Sequence, residues 1–529
     1  MVWSCSTYWD IHVPMKSPIE EVAEQYLFVL RVGHDSYVRC CPVVFTRWWL
    51  LLAAFATHFA SGLVFGLTRI TGSSPSGLLF HVCVALSVSF TGPYIERDGP
   101  RMGLTFGSIL IAVGCGVSHI AVIKTDPVLL ALGHGVFCAV GVGFVIVAAT
   151  GATQKWFPDL RGCVSGLCAA SFTCGILSLV EWMPHIDGLT NMFWIAGTLA
   201  VGLLTLSAMV FRTPPASFRI NGVDMHGVPD RLAPPSARFQ NNSRYPGLSM
   251  AGVFQCEFEG SDGYYFAQVK ALSLSNSVLS LDFMCLCVSI TTVASPLLLF
   301  FSSRPRLSNT QFQSPLAWLG KAIIIGQLAS AVASDILVKA FYASPAFARK
   351  LVLGVLLAAQ MVLLVLAITQ NPTPPSTQWT IYALAFTSGG GFALTTSFAA
   401  DMFGVLNCGT VVGFSWGCWS MTIAVVAFGS IGQQLGSFAT LAALGLICLL
   451  LVRTQATDRF YSGYQYTLCG KVVVQIPTSQ RRHPFVSDVM ESSVAMMETA
   501  KSPIIAANTS TAGGFILWNT VRDGYRVHN

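Results

Sequence analysis

A chain of 529 residues that is 53% hydrophobic, only 10% charged and has a mean hydropathy of +0.62 cannot hide its apolar surface from water. Soluble domains carry about 25% charged residues, so part of the solvent here is lipid, which excludes an ordinary water-soluble fold. The net charge of +6 is modest and sits in loops and tails, which reads as membrane topology rather than nucleic-acid binding.

Residues 1–46 form a polar head with one short amphipathic helix expected near Ile19–Arg31. Glu20, Glu21 and Glu24 argue against an acid-poor transit peptide, and no secretory signal is recognised. Cys40 and Cys41 adjoin the first apolar run, where palmitoylation and two unmodified thiols are both open readings. Apolar runs near the roughly 20 residues that span hydrocarbon follow: Trp48–Leu67, Gly77–Ile95, Met102–Ile123, Pro127–Thr150, Cys163–Met183 and Met192–Phe211. A polar insert, 212–271, carries Pro214, Pro215, Pro229, Pro234, Pro235 and Pro246 and reads as a flexible linker. The second set is Ser277–Phe301, Pro315–Val338, Leu351–Thr369, Trp379–Ala399, Cys408–Ile431 and Phe438–Val452, ahead of a polar tail expected to be mostly disordered.

The expectation is therefore an all-α multi-pass membrane protein of 12 transmembrane helices in two pseudo-symmetric six-helix bundles, 47–211 and 272–453. A cytosolic segment 1–46, a cytosolic linker 212–271 and a cytosolic tail 454–529 complete it. Connections 2–3, 4–5, 6–7, 8–9 and 10–11 hold thirteen Lys and Arg, against four (Arg69, Lys124, Arg304, Arg306) on the opposite side, so the basic side and both termini are placed in the cytosol. The sequons at Asn241 and Asn508 then face the cytosol and stay unglycosylated. Which membrane it is, plasma or organelle, stays open. Most of the sixteen cysteines fall singly inside apolar runs, where they act as small hydrophobes. No Cys/His spacing suggests zinc, and no metal or other cofactor is expected.

The two halves echo each other. GPYIERDGPR at Gly92–Arg101 has a degenerate counterpart 239 positions on, SAVASDILVK at Ser330–Lys339, where Asp335 stands for Glu96. KWFPDLRG at Lys155–Gly162 is echoed by DMFGVLNCG at Asp401–Gly409, with Phe403 following Phe157 by 246. Two loop pairs at nearly one offset point to a duplicated half, the construction of many transporters.

These residues carry a resemblance. GPYIERDGPR resembles the helix 2–3 loop of the major facilitator superfamily through Gly92, Arg97, Gly99 and Arg101, with Glu96 in the acid position. Trp156, Phe157, Pro158, Arg161, Gly162 and Gly166 are similar to the helix 4–5 stretch of the monocarboxylate and oxalate/formate antiporter branch, and Asp401–Gly409 to its helix 10–11 loop. The likeness covers about Trp48–Val452 without the insert. It implies the major facilitator fold and a transporter working by alternating access, with a gating loop of Gly92, Glu96, Arg97, Gly99, Arg101, Arg161 and Asp335. Arg97 and Arg101 suit such a gate because they can pair with an acid and with helix C-terminal carbonyls, while Gly99 and Gly162 allow tight turns. A plain orienting loop is the alternative. Gly133, Gly135, Gly141 and Gly143, Gly389–Gly391, and Gly413 with Gly417 fit either a mobile bundle or static close packing.

Depth ranks the substrate or proton-coupling candidates as His58, Gln327, Lys321, Gln360 and Trp416. At about 1.5 Å per residue, His58 and Gln327 fall near mid-membrane, where transporter sites lie. His58 can carry a proton or stand as a neutral histidine bonded between helices. Lys321 belongs to the outer half and can snorkel. Asp282, Glu181 and His81 read as interfacial. The resemblance places an arginine at 327, where this chain has Gln327, and helix 11 offers no lysine. A carboxylate in a low-dielectric cavity needs a cation, so either Lys321 and protonated His58 supply it or the solute is not a simple carboxylate. The leading expectation is a secondary transporter of a small organic solute, monocarboxylate-like, with protons and the lipid bilayer as further partners. The alternatives are a transporter-fold receptor or scaffold, and a carrier of a neutral or cationic solute. No membrane-embedded Ser/His/Asp set, HExxH or phosphate loop is found, so no enzyme is expected.

Overall fold

Each apolar run becomes a helix in the computed structural model, which describes residues 8–9, 16–31, 37–39, 42–71, 75–182, 189–215, 217–228, 265–266, 268–302, 313–369, 374–422, 431–460, 463–468 and 471–477. The first six long helices are α1 (Arg47–Gly66), α2 (Pro75–Phe90 continued by Gly92–Asp98), α3 (Pro100–Lys124), α4 (Pro127–Trp156), α5 (Arg161–Trp182) and α6 (Leu189–Val210). The second six are α7 (Leu281–Ser302), α8 (Gln313–Lys339), α9 (Pro345–Thr369), α10 (Pro374–Phe403), α11 (Val405–Met421) and α12 (Ile431–Leu451). Among the described residues, seven of these are long and apolar enough to cross a membrane, or eight if the two parts of α2 form one span, and Leu281–Leu297 and Leu435–Leu451 are shorter apolar helices.

The bend of 49° within α2 falls at Thr91–Gly92–Pro93. Pro93 has no N–H to donate back into the preceding turn, so the helix restarts there in a new direction. Gly99 then takes φ +87°, a left-handed turn open to glycine, and hands the chain to α3. The apolar stripes confirm which faces meet lipid. Met102, Phe106, Ile109, Val113, Ile120 and Ile123 run down one exposed side of α3 at helical spacing. In water such a stripe would be a liability; in hydrocarbon it is the solvent-facing surface.

Within the first bundle α1 packs on α5, α6 and α4, and α3 on α6 and α4; within the second α8 packs on α10, and α9 on α10 and α12. The two bundles meet along α5–α8 and α2–α11. Adding six to each helix number converts one contact into the other, which is what a duplicated half requires. Glycines permit the approach. A Cβ on Gly92 would lie 2.8 Å from the Thr410 Cα, and one on Gly166 2.9 Å from the Gln327 carbonyl oxygen.

One local expectation changes, and short elements appear in the described parts of the insert and tail. The helix expected across Ile19–Arg31 stops at Ala23, capped at its start by Ser17, and Val29–Arg31 pairs instead with Tyr37–Arg39 as a two-stranded antiparallel sheet, β1 and β2. The start of the insert is ordered, with a small hairpin Arg219–Ile220 (β3) and Val223–Asp224 (β4) turning at Asn221–Gly222. Asp224 accepts from the His226 and Val228 N–H groups at 2.9 Å each, which closes the loop after it. In the tail, Gly463–Leu468 (β5) and Lys471–Pro477 (β6) pair as an antiparallel hairpin, because Tyr, Thr, Val and Ile cluster in this stretch and favour strand. Residues 216, 229–264, 267, 461–462, 469–470 and 478–529 of the insert and tail, with both sequons, and Cys40–Cys41 lie outside the described residues.

The chain divides into two compact units, one of residues 1–228 and 272–452, the other of 229–271 and 453–529. All twelve long helices belong to the first. In the second, Arg459 donates to the Tyr265 hydroxyl at 2.7 Å, and Asp458 accepts from the Thr467 backbone and hydroxyl at 2.7 and 2.6 Å.

In the first unit the N-terminal segment binds the end of the bundle that carries the 2–3 and 4–5 loops, hereafter the basic end. Arg212 donates to the carbonyls of Tyr26 (2.9 Å) and Leu27 (2.6 Å), and its guanidinium lies 3.9 Å from the Phe45 ring centre. Burial, with Arg101 nearby, pushes Arg212 down to about 9, the Glu24 carboxylate opposing.

Candidate functional site

The basic end closes on a buried ring of ion pairs contributed by both bundles. It begins where α4 stops. Pro158 cannot continue the helix, so the chain turns through Phe157–Leu160 and starts α5 at Arg161. Arg161 Nη1 donates to Asp401 Oδ1 of α10 at 2.8 Å, and its Nη2 to the Met225 carbonyl at 3.1 Å. The other Asp401 oxygen accepts from Arg349 Nε of α9 at 3.3 Å. Arg349 also reaches Asp335 Oδ1 of α8 at 2.5 Å and bonds Ser334. Asp335 in turn accepts the N–H groups of Gly162 (3.2 Å) and Cys163 (2.7 Å), so an acid of the second bundle caps the N-terminus of α5 in the first. Arg161, Arg349, Asp335 and Asp401 are all nearly inaccessible. Two acids and two arginines leave no net charge, and each charged group has several partners, the condition under which buried pairs hold.

Beside this ring, Glu96 at the end of α2 pairs with Lys155 at the end of α4, both buried, under the close approach of Gly151 and Gly409. Arg97 donates to the carbonyls of Pro93 (3.2 Å) and Tyr8 (3.3 Å) and lies 5.0 Å over the Tyr8 ring. Arg101 donates to the Phe211 carbonyl at 2.6 Å and pairs with Glu24 at 3.2 Å. Both arginines thus meet carbonyls, and Arg101 also an acid, on the first bundle and its N-terminal segment. Among the described ion pairs, the ones that cross between bundles run through Arg161.

Gly162 differs from its expected role. It has no positive φ and lies within α5; a Cβ there would fall 2.8 Å from the Asp335 Cγ and 2.5 Å from Arg349 Nη1. The glycine makes room for the ring rather than for a turn.

Nearer mid-depth the seam between bundles is aromatic. Trp416 packs on Phe172 (5.4 Å), Phe392 (4.8 Å) and Trp419 (5.5 Å), drawing α11, α5 and α10 together. Phe65 of α1 stacks on Trp419 at 6.0 Å and meets Phe172 at 5.4 Å. Gln327 of α8 bridges the seam, donating to Thr173 of α5 at 2.9 Å, and its Oε1 is buried without a partner. His58 sits on the same face of α1 as Phe65, two turns away; Nδ1 bonds the Ala54 carbonyl at 2.8 Å and Nε2 has no partner.

The structure therefore brings Gln327, Trp416 and the His58 face of α1 to the seam. It does not bring all five candidates there. Gln360 lies between α9 and α7, donating to the Thr292 carbonyl at 3.2 Å. Lys321 is exposed, its ammonium 4.3 Å from the Trp318 ring centre. Of the residues read as interfacial, Glu181 is exposed, Asp282 is buried in the first turn of α7, and His81 is buried against Phe65 at 5.3 Å. Sequence reasoning did not single out Arg349, counted only as a loop charge, or Lys155 and Asp401, quoted only within their motifs. The usable signal was arithmetic: Glu96 and Asp335 are acids at the ends of apolar runs, and a buried acid requires a cation nearby.

Helices packed in this order define an all-α multi-pass membrane protein with the major facilitator fold. The human organic anion transporter MFSD10 (TETRAN) aligns over 76% of this chain and 99% of its own at a TM-score of 0.50 and 12% identity. In sequence the chain is similar to the oxalate:formate antiporter of Oxalobacter formigenes, 28% identical over 185 residues, 32% of this chain and 43% of that one. It is similar too to the MFS-type transporter YhjX of Escherichia coli, 24% identical over 185 residues, 32% of this chain and 45% of that one. The matched stretches thus span less than half of these curated relatives. No protein-family model matches the chain.

Proposed function

We propose that this chain is a secondary active transporter that moves a small organic solute, monocarboxylate-like in the leading reading, by alternating access. The observation that carries it is the Arg161–Asp401–Arg349–Asp335 ring. Ion pairs that join two similar bundles at one end, around a glycine-sized gap, form a lock that rocking of the bundles would open. In this reading the basic end is cytosolic, and the structure is closed toward the cytosol. The oxalate:formate antiporter among its relatives supports an organic anion as cargo.

The test is uptake of labelled formate, oxalate, lactate, an amino acid and a neutral sugar into proteoliposomes, with and without an inward proton gradient. Saturable uptake of one of them, lost on Asp401→Asn, meets the proposal. Folded, inserted protein that moves none of them shifts preference to a transporter-fold receptor or scaffold.

A second reading, a neutral or cationic solute, is favoured by a specific observation. Gln327, an uncharged amide, occupies the mid-depth crossing of α8 and α5 amid aromatic rings, while Lys321 is exposed. Uptake of the sugar or amino acid alone would select it.

A further inference from the structure

A second polar feature lies inside the first bundle, away from the ring. α4 is not α-helical throughout: Ala131–Cys138 is wound as a π-helix, with His134 between Gly133 and Gly135. Stretches of π-helix inside α-helices are rare and concentrate at functional sites. This one carries His134, fully buried, against α2 and α6. Its ring stacks on Phe80 at 4.7 Å and 13° and meets Phe193 at 5.7 Å. It lies by the Val64 carbonyl, yet neither ring nitrogen makes a hydrogen bond of normal geometry. His81, also buried and with Nδ1 unpartnered, meets Phe80 edge-on at 5.9 Å. Both imidazoles thus adjoin the one Phe80 ring.

We propose that His81 and His134 together form the proton-binding site of the transport cycle, resting on the reading of this chain as a transporter. Unpartnered imidazole nitrogens are sites where a proton can be taken up, and two imidazoles against one ring in a dry interior hold one proton more readily than two. Among the described residues no cluster of three metal-ligating side chains gathers, so the pair does not read as a metal site. Other titratable groups on the helices packed around it include Cys83 on α2, His58 on α1 with Arg69 just beyond it, Cys115 and His119 on α3, and Cys138 on α4, while Arg47, Glu96, Arg97, Asp98, Arg101 and Lys155 belong to the basic ends of those helices and Lys124 to the last turn of α3. His119 meets Trp194 of α6, and Cys115 lies 3.7 Å from Cys138. α6 faces the pair with Phe193, and α11 reaches Phe65 through Trp419.

Phe65 couples the pair to the seam. One side of its ring meets His81, and its face stacks on Trp419 of the second bundle. When the bundles part at the far end, Trp419 leaves Phe65 and water reaches His81; when they close, the site is dry. A charge is expensive in a dry interior, so loading a proton and opening the far end belong to one step.

The experiment has two arms, run on wild type, His81→Gln, His134→Gln and the aromatic-preserving His134→Phe, each verified as folded by size-exclusion elution. In the first, exchange of labelled oxalate across proteoliposomes is compared with its accumulation driven by a pH gradient. Loss of gradient-driven accumulation with exchange retained supports the site; unchanged accumulation in both Gln variants overturns it. If wild type exchanges no oxalate, the transport reading fails for that solute, and the second arm decides. There, purified protein in lipid nanodiscs is titrated from pH 8 to pH 5, the ordinary histidine range, while tryptophan fluorescence is read against a Trp419→Phe control. A Trp419-dependent transition that disappears in the histidine variants supports the pair. No such transition, or one that persists in them, overturns it.

Discussion

Arg161 and Asp401 stand 240 positions apart in the chain, and the guanidinium of one donates to the carboxylate of the other at 2.8 Å across the seam between the bundles. Arg161→Ala leaves Asp401 buried with Arg349 as its remaining cation. Removing one member of a buried pair costs about 3–5 kcal/mol, and here the cost falls on the closed state. The expected outcome is a population opened at the basic end. It is read by maleimide labelling of Cys408, inaccessible in α11, in a variant retaining that cysteine alone. Labelling should be slow with Arg161 present and fast in Arg161→Ala. Equal rates would show that this pair does not hold the end shut.

Two glycines separate a steric demand from a backbone one. Gly162→Ala drives a Cβ into the Asp335 carboxylate and should cost about 1–3 kcal/mol, as overpacking does. Gly99→Ala meets nothing within 4 Å but must hold φ +87° with ψ 160°, a conformation nearly reserved to glycine that costs another residue about 1–3 kcal/mol. Both variants should lower Tm in a thermal-shift assay. Only Gly162→Ala should also speed Cys408 labelling, because only it touches the ring.

The helices were legible because lipid demands long apolar runs, and each of the twelve runs corresponds to a helix. The turn at Gly99 was legible for a local reason, since the residue acts through its own backbone. The ring was only half legible. Arg161, Gly162 and Asp335 belong to loop motifs, but the Arg161–Asp401 and Gly162–Asp335 contacts join segments more than a hundred residues apart, which no local pattern records. The sheet of Val29–Arg31 and Tyr37–Arg39 was missed because a Glu-rich start favoured helix, while the pairing partner decided for strand. His134 was missed because nothing in the sequence marks a π-turn apart from its flanking glycines.

The Glu96–Lys155 pair offers a cycle with a clear sign. Both side chains are buried at the end of α2 and α4. Lys155→Met alone strands a carboxylate and should destabilise by about 3–5 kcal/mol. Glu96→Met with Lys155→Met removes both charges and should recover much of that loss, since an apolar replacement of a buried pair is often close to neutral. The measurement is thermal unfolding in detergent of both single variants and the double. Additive losses would mean that the two side chains do not interact in the folded protein.

Lys321 and Gln327 lie six positions apart on α8, yet they face different surroundings, and that separates two readings of the cargo. Lys321 is exposed beside Trp318, so Lys321→Met should change KM and kcat of whatever solute is transported by about twofold or less, as expected of a side chain that only snorkels. Gln327→Leu removes the bond to Thr173 at the bundle seam, worth about 0.5–1.5 kcal/mol or roughly two- to tenfold in an equilibrium. It also removes an unpartnered buried Oε1 that is free to accept a bond from a solute. If that oxygen binds cargo, Gln327→Leu raises KM; if the amide only ties α8 to α5, kcat changes and KM stays. A solute whose uptake depends on Lys321 and not on Gln327 would place the binding site on a face of α8 that the closed structure leaves exposed.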